Sequence, residues 1–327
     1  MIRGWLALAF ASLALVVGDI VQRLVIAPWI RIRPSSRVRV LSGWMKLVAW
    51  MVTRPVSLIG GCLIPRPPRN VPAEPGVLLL MNHQSLFDIP IVIQAVQGGY
   101  PRIVTRQRYA ARYIPLVSKM VELYQYPVVD PTANAEGLRA QLERLAEAAR
   151  DTDQPLVIFP EGRRTRDGQI GAFRRGALRH VLAVRPWRVY VYVTDGFWRA
   201  ARYRDFAREL HRVRGRVEHV ATLEWTDPAA DPRPFIEEIH RTMVQRLAAW
   251  RAGEPGALKP GEGRGRDQGE DQGGDPGGDP GDGPARGEIG PGTRPGAPFG
   301  AEPGAGTRSG PGPGPGPAPG NAGGPAR

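Results

Sequence analysis

The sequence predicts an α/β fold in which a mixed central sheet is flanked by helices, with an apolar helical region before it and a disordered tail after it. Three observations predict this. Between residues 71 and 253, short runs of Val, Leu and Ile alternate with stretches of helical periodicity. Residues 1–70 hold two long apolar stretches. From Glu254 onward Gly, Pro and charged residues dominate, almost without large apolar side chains. Strands alternating with helices require a sheet covered by helices, because each element has an apolar side to bury. The chain therefore divides into a membrane-association region at 1–70, an α/β domain at 71–253 and a tail at 254–327.

In chain order, the first apolar stretch runs from Gly4 to Val17 without a charge. Asp19, Gln22 and Arg23 interrupt it, and it resumes to Ile30. A membrane-spanning helix needs about 20 apolar residues, so this one is marginal. A signal peptide would need a cleavage site that the residues around Asp19 and Arg23 do not offer. The second stretch, 41–64, contains Lys46, Arg54 and Pro55, with Trp44 and Trp50 suited to a bilayer interface. Arg31, Arg33, Arg37 and Arg39 lie between the two, and Arg66 and Arg69 follow. Basic segments prefer the cytoplasmic side, and two full spans would put these groups on opposite sides. The expectation is one span with an interfacial helix, or two helices lying partly in one leaflet. Two buried helices of a soluble protein are the alternative.

Beyond residue 70, strands are expected at 77–81, 102–105, 126–129, 156–159, 188–194 and 219–225. Helices are expected at 134–150, 173–184 and 234–251. Leu138, Leu142, Leu145 and Ala149 give the first an apolar stripe, and Ile236, Ile239, Met243 and Leu247 give the last one. Pro234 suits a helix start. The tail cannot bury enough apolar surface to offset chain entropy.

The formal charge is +13 over 327 residues, and the folded body is more basic than that total because the tail is slightly acidic. A basic body fits nucleic acid, anionic lipid or phosphorylated substrates. Nucleic acid fits the charge but not the apolar N-terminus, and no aromatics interleave with the basic residues to stack on bases. Cys62 is the single cysteine, which excludes an internal disulfide and fits a reducing, cytosolic location.

Two loops carry the candidate chemistry. Met81-Asn82-His83-Gln84-Ser85-Leu86-Phe87-Asp88 follows the apolar run 77–80. An imidazole titrates near pH 6.5, so it can accept a proton at neutral pH, and a carboxylate can fix its tautomer. Five residues on a regular helix turn through about 500°, which holds the two side chains about 140° apart. His83 and Asp88 can meet only if His83 lies in the turn before the helix and Asp88 in its first turn. Phe159-Pro160-Glu161-Gly162-Arg163-Arg164-Thr165-Arg166 follows a second apolar strand. Its Gly permits close backbone approach and its Arg side chains offer donor forks for phosphate. A solvated basic loop is the plainer reading of that segment.

Together the two loops resemble the glycerolipid acyltransferase family, which makes phosphatidic acid from lysophosphatidic acid. Its first motif, Asn-His-x4-Asp, is matched by Asn82, His83 and Asp88. Its third, Phe-Pro-Glu-Gly-Thr-Arg-Ser, is matched by Phe159, Pro160, Glu161, Gly162 and Arg164, with Arg163 for Thr and Thr165 for Ser. The second motif is kept in part, as Arg108 for Lys and Ile114-Pro115; Pro131 stands where a further Arg is usual. Val189-Tyr190-Val191 resembles the fourth, with Tyr for Pro, and Phe173-Arg174-Arg175-Gly176-Ala177 resembles a Phe-Lys-x-Gly-Ala segment.

The resemblance implies acyl transfer from a thioester, acyl-CoA or acyl carrier protein, to a glycerolipid hydroxyl. His83 would be the general base and Asp88 its orienting partner. Asn82, Arg108, Glu161, Gly162 and Arg164 would bind or organise the acceptor. Neither a metal nor a cofactor is implied. The partners would be a membrane lipid acceptor and the acyl donor, with the domain facing the cytoplasm. Backbone amides near the His83 turn would hold the oxyanion. The run Arg199, Arg202, Arg204 and Arg208 would contact anionic lipid or a carrier protein, or form a solvated face. Another lysolipid acceptor is an alternative, as is a non-catalytic basic membrane-binding protein.

Overall fold

The computed structural model describes residues 2–130, 132–200 and 208–253. The expected disordered tail, Pro131, Arg202 and Arg204 lie outside the described residues. The chain opens with α1 (Ile2–Val21), a π turn at Gln22–Ile26 and α2 (Ala27–Ile32), all one continuous helical run. Pro28 explains the π turn. It has no N–H to donate, and its ring would crowd the Leu24 carbonyl in a regular helix, so the preceding turn widens. After a tight turn at Pro34–Ser36, α3 (Arg37–Leu58) runs back along α1. Arg3 Nε donates to the Ile59 carbonyl (3.1 Å) and Trp44 Nε1 to Gln22 Oε1 (2.9 Å), which sets the two helices antiparallel. By length and composition the run Ile2–Ile32 is apolar enough to cross a membrane.

The strands are β1 (Val71–Pro72), β2 (Val77–Met81), β3 (Val96–Gln97), β4 (Arg102–Ile103), β5 (Thr105–Arg106), β6 (Val128–Val129), β7 (Leu156–Ile158), β8 (Trp187–Asp195) and β9 (Arg216–Trp225). Five form the central sheet in the order β4-β7-β2-β8-β9. The first four are parallel and β9 runs antiparallel to β8, so the sheet is mixed. β2 sits in the middle because all five of its residues are apolar and buried, the signature of a strand covered on both faces. The run expected at 102–105 splits. β4 joins the central sheet, whereas β5 turns away to pair with β6. The strand expected at 126–129 is therefore not part of the central sheet; only Val128 and Val129 pair, and only with β5.

The helices of the domain are α4 (Asp88–Ala95), α5 (Gln107–Ala111), α6 (Val117–Leu123), α7 (Ala135–Arg150), α8 (Arg175–Leu182) and α9 (Arg233–Ala252). Asn134 caps α7 by accepting from the Gly137 N–H. Successive strand side chains point to opposite faces, and the two faces take different covers. Leu78, Leu80, Leu156, Ile158, Val189 and Val191 pack under α7, α8 and α9. Val77, Leu79, Met81, Val157 and Tyr192 pack with Ile91 and Ala95 of α4 and with Ala7, Ala11 and Val56 of the N-terminal hairpin. The hairpin is thus one layer of the sheet's cover, and residues 1–70 pack with the domain as a single unit.

Candidate active site

The site forms where β2 and β7 end side by side. Leu80 pairs with Ile158, so the chain leaves both strands at one level. The loops 82–88 and 159–168 then meet beyond the carboxyl ends of parallel strands, where open α/β sheets hold their ligands. The Thr165 N–H donates to the His83 carbonyl (2.8 Å), which ties one loop to the other.

His83 lies in the turn and Asp88 opens α4. Their side chains meet, Nδ1 to Oδ2, at 2.8 Å. Asp88 is fully buried, and its Oδ2 also accepts the N–H groups of Gln84 (2.6 Å) and Ser85 (2.8 Å). Oδ2 thus receives two backbone N–H groups and faces Nδ1, and a proton on Nδ1 would leave the Nε2 lone pair free for a substrate. The ring stacks on Phe159, centroids 4.2 Å apart, and stays 17% exposed at its side chain. His83 is thus fixed from two sides and open on one.

Glu161 is buried and spends both oxygens inside the site: Oε1 accepts from the His83 N–H (3.0 Å) and Oε2 from the Gly171 N–H (3.0 Å). Burial raises its carboxyl above the ordinary range, and these two N–H groups oppose that. Asn82 is also buried, with its amide locked on β8 by donating to the Thr194 carbonyl and accepting from the Thr194 N–H. Both residues shape the loops from beneath, with their polar atoms already engaged. The N–H groups of His83, Gln84 and Ser85 are committed to carboxylates, so the oxyanion donors expected near the His83 turn are not these three.

Around the Gly162 turn of the second loop stands a crescent of cations. Gly162 has φ +64, and a Cβ there would come within 2.5 Å of Arg174 Cδ. Arg106 donates to the Gly162 carbonyl. Burial, then the neighbouring Arg108, Arg174 and Arg164, lowers the Arg106 guanidinium from its ordinary range. Arg108 is exposed and lies over the Tyr109 ring, 4.8 Å from its centroid. Arg106 was not among the sequence candidates. Its signal was a basic residue closing the apolar run at 102–105, a place where strand-end loops converge.

A second support lies behind the His83 turn. Gln84 is buried, donates to Asp195 Oδ1 (3.1 Å) and accepts from the Phe197 N–H (3.0 Å). Asp195 in turn takes a two-pronged grip from Arg251 at the end of α9 (3.0 and 2.8 Å), and Arg251 also donates to the Gly168 carbonyl (2.9 Å). One guanidinium therefore joins the His83 loop, the Arg164 loop and the end of β8. Nothing in the sequence marked Arg251.

A family model described as Acyltransferase matches residues 66–194, which contain both loops. The 1-acyl-sn-glycerol-3-phosphate acyltransferase of Cocos nucifera is 23% identical over 267 residues, spanning 80% of this chain and 78% of the relative. That of Limnanthes douglasii is 24% identical over 239 residues, spanning 71% and 76%. Among solved structures, the 1-acyl-sn-glycerophosphate (LPA) acyltransferase PlsC from Thermotoga maritima has the same fold. Its TM-score is 0.52 at 16% identity, with 73% of this chain and 95% of that one covered. Fold, loops and relatives agree on an acyltransferase. Residues 66–194 are thus acyltransferase-like, and the chain is similar in sequence and fold to glycerolipid acyltransferases.

Proposed function

We propose that the protein transfers an acyl group from a thioester, acyl-CoA or acyl carrier protein, to the free hydroxyl of lysophosphatidic acid, giving phosphatidic acid. The observation that carries this reading is the partly exposed His83–Asp88 pair at 2.8 Å, with the Arg106, Arg108, Arg164 and Arg174 crescent around the Gly162 turn of the loop tied to it. The crescent suits a phosphomonoester, which guanidinium groups bind by charge and paired donors.

In the reaction His83 Nε2 takes the hydroxyl proton while the oxygen attacks the thioester carbonyl carbon. Asp88 stabilises the imidazolium through Nδ1–H. Collapse of the tetrahedral intermediate breaks the C–S bond, completes the ester, and passes the proton from Nε2 to the departing thiolate. No acyl-enzyme is formed, because the acceptor hydroxyl is the nucleophile.

The bilayer supplies the acceptor. The outward side of the N-terminal hairpin exposes Trp5, Phe10, Leu13, Val17, Leu24 and Trp29 of α1–α2 and Trp50 of α3. Its inward side is packed on the domain along its length, from Ala7 and Ala11 to Ile30. A helix so fastened lies in the membrane plane, in the cytoplasmic leaflet. Leu86, exposed on the His83 turn itself, adds an apolar lip to the mouth.

The test is acyl transfer by purified protein in mixed micelles, with a panel of lysolipid acceptors. Lysophosphatidic acid is the expected preferred acceptor. His83→Ala is expected to abolish turnover while leaving membrane binding intact. Near-normal rates in that variant would remove His83 as the base, and a better rate with an acceptor lacking phosphate would remove the acceptor assignment.

A further inference from the structure

The hairpin carries a second basic feature, away from the His83 and Arg164 loops. Where α2 turns into α3, a groove of about 790 Å³ opens between the turn and α6. Arg23, Arg31, Arg37 and Lys119 line it. Glu122 is the acidic residue of the lining, and Lys119 pairs with it at 2.5 Å. Arg23 pairs with Asp19 (2.9 Å), and Arg37 donates to the Leu123 carbonyl (2.6 Å), so each is held in place at the rim. Arg31 has no hydrogen bond or ion pair among the described residues. Against two carboxylates there are four cations, which leaves the groove positive. Its floor is apolar, made by the buried Ile30 and Leu123.

We propose that this groove binds the phosphate of an anionic bilayer phospholipid, a site separate from the acceptor site. Three observations select that occupant. A positive rim over an apolar floor matches a lipid whose phosphate and upper acyl carbons must both be received. The groove adjoins Leu24, Val25, Trp29 and Ile32, which are exposed on the same helical run, so it opens where that face meets headgroups. The widened π turn lies directly on it through Arg23, and such turns recur at functional sites. A soluble phosphate would gain from the rim but not from the floor. The proposal rests on the in-plane membrane reading given above.

The site also has a connection inward. Asp19, the partner of Arg23, accepts the Leu116 N–H (2.9 Å), and Gln22 donates to the Leu116 carbonyl (3.1 Å). Leu116 is held at φ +67, in the left-handed region that non-glycine residues rarely adopt, just beyond the helix that bears Arg108. A lipid in the groove thus touches the chain that grips the segment following Arg108.

The test measures binding rather than catalysis. Co-sedimentation of the full chain is run with vesicles of phosphatidylcholine alone and of phosphatidylcholine with phosphatidylglycerol. The wild type is expected to bind the anionic vesicles about tenfold or more tightly. Arg31→Gln with Lys119→Gln is expected to lose most of that preference and keep its binding to neutral vesicles. Arg139→Gln with Arg241→Gln removes the same charge from α7 and α9, and is expected to keep the preference. Arg31→Gln alone, at a side chain without partners, guards against a folding defect and is expected to lose part of it. Equal losses in both double variants would overturn the site, as would a wild type indifferent to phosphatidylglycerol. Inorganic phosphate raising the wild type's melting temperature as much as anionic vesicles would reassign the groove to a soluble anion and overturn the lipid. Failure to bind either vesicle would overturn the membrane reading itself, a separate result.

Discussion

At the scale of single residues, Asp88 has the most to lose. It is buried, and its one oxygen Oδ2 meets His83 Nδ1 and accepts the N–H groups of Gln84 and Ser85. Asp88→Asn replaces an acceptor by a group that is half donor, and the imidazole can then settle in the wrong tautomer. Turnover is expected to fall by about 10²–10⁴-fold with little change in the acceptor's KM, measured by steady-state kinetics. A large rise in KM with unchanged turnover would place Asp88 in binding instead. The spacing of His83 and Asp88 was legible because five residues exclude a meeting on one helix and require a turn before it. What Asn82 and Glu161 do was not legible. A motif tells which residues stand near a ligand, but not whether their polar atoms are already taken by β8, by the His83 N–H or by the Gly171 N–H.

At the scale of elements, the tie through Arg251 binds three segments that are far apart in the chain. Arg251→Ala leaves the Asp195 carboxylate buried without its partner, a loss of about 3–5 kcal/mol by analogy with other buried pairs. Turnover should fall with it, because the His83 turn and the Arg164 loop lose their common anchor. Arg251→Lys, which keeps the charge but not the fork, should recover most of the melting temperature and less of the turnover. If both variants lose stability and activity in strict proportion, Arg251 is only structural. This tie was invisible in the sequence because it depends on where α9 ends in space. The split of the 102–105 run was invisible for a related reason. Alternation of apolar residues announces an extended chain, but β5 and β6 pair with each other through two residues each, and only packing decides that. By contrast β2, β7, β8, α7 and α9 were legible, since their long apolar runs or stripes admit one use.

At the scale of the whole molecule, the apolar N-terminal helices were legible but their place in the core was not. Ala7 and Ala11 are small residues on an apolar helix, and nothing local separates a lipid-facing side from one that meets a sheet. The structure uses them as close-packing points against the domain. Cys62, just past the hairpin, reports on that docking. Burial pushes its thiol up to about 12, so little thiolate exists at neutral pH. Iodoacetamide at pH 8 is expected to leave Cys62 unmodified in the native protein and to label it fully in denaturant, as read by mass spectrometry. Rapid labelling of the native protein would show that the hairpin leaves the domain readily.

The shared core also fixes an order of events during synthesis. Ala7 and Ala11 complete a cluster that includes Phe197, Leu210 and Val213. The ribosome makes α1 long before it makes those partners, so for most of translation the helix has an apolar outer side and an unfinished inner one. A lipid leaflet can shelter the first side and leave the second free to receive the sheet when it arrives. On the membrane reading proposed above, the bilayer would then serve as a holding surface for a half-built core, and the protein would acquire its final address in the act of folding.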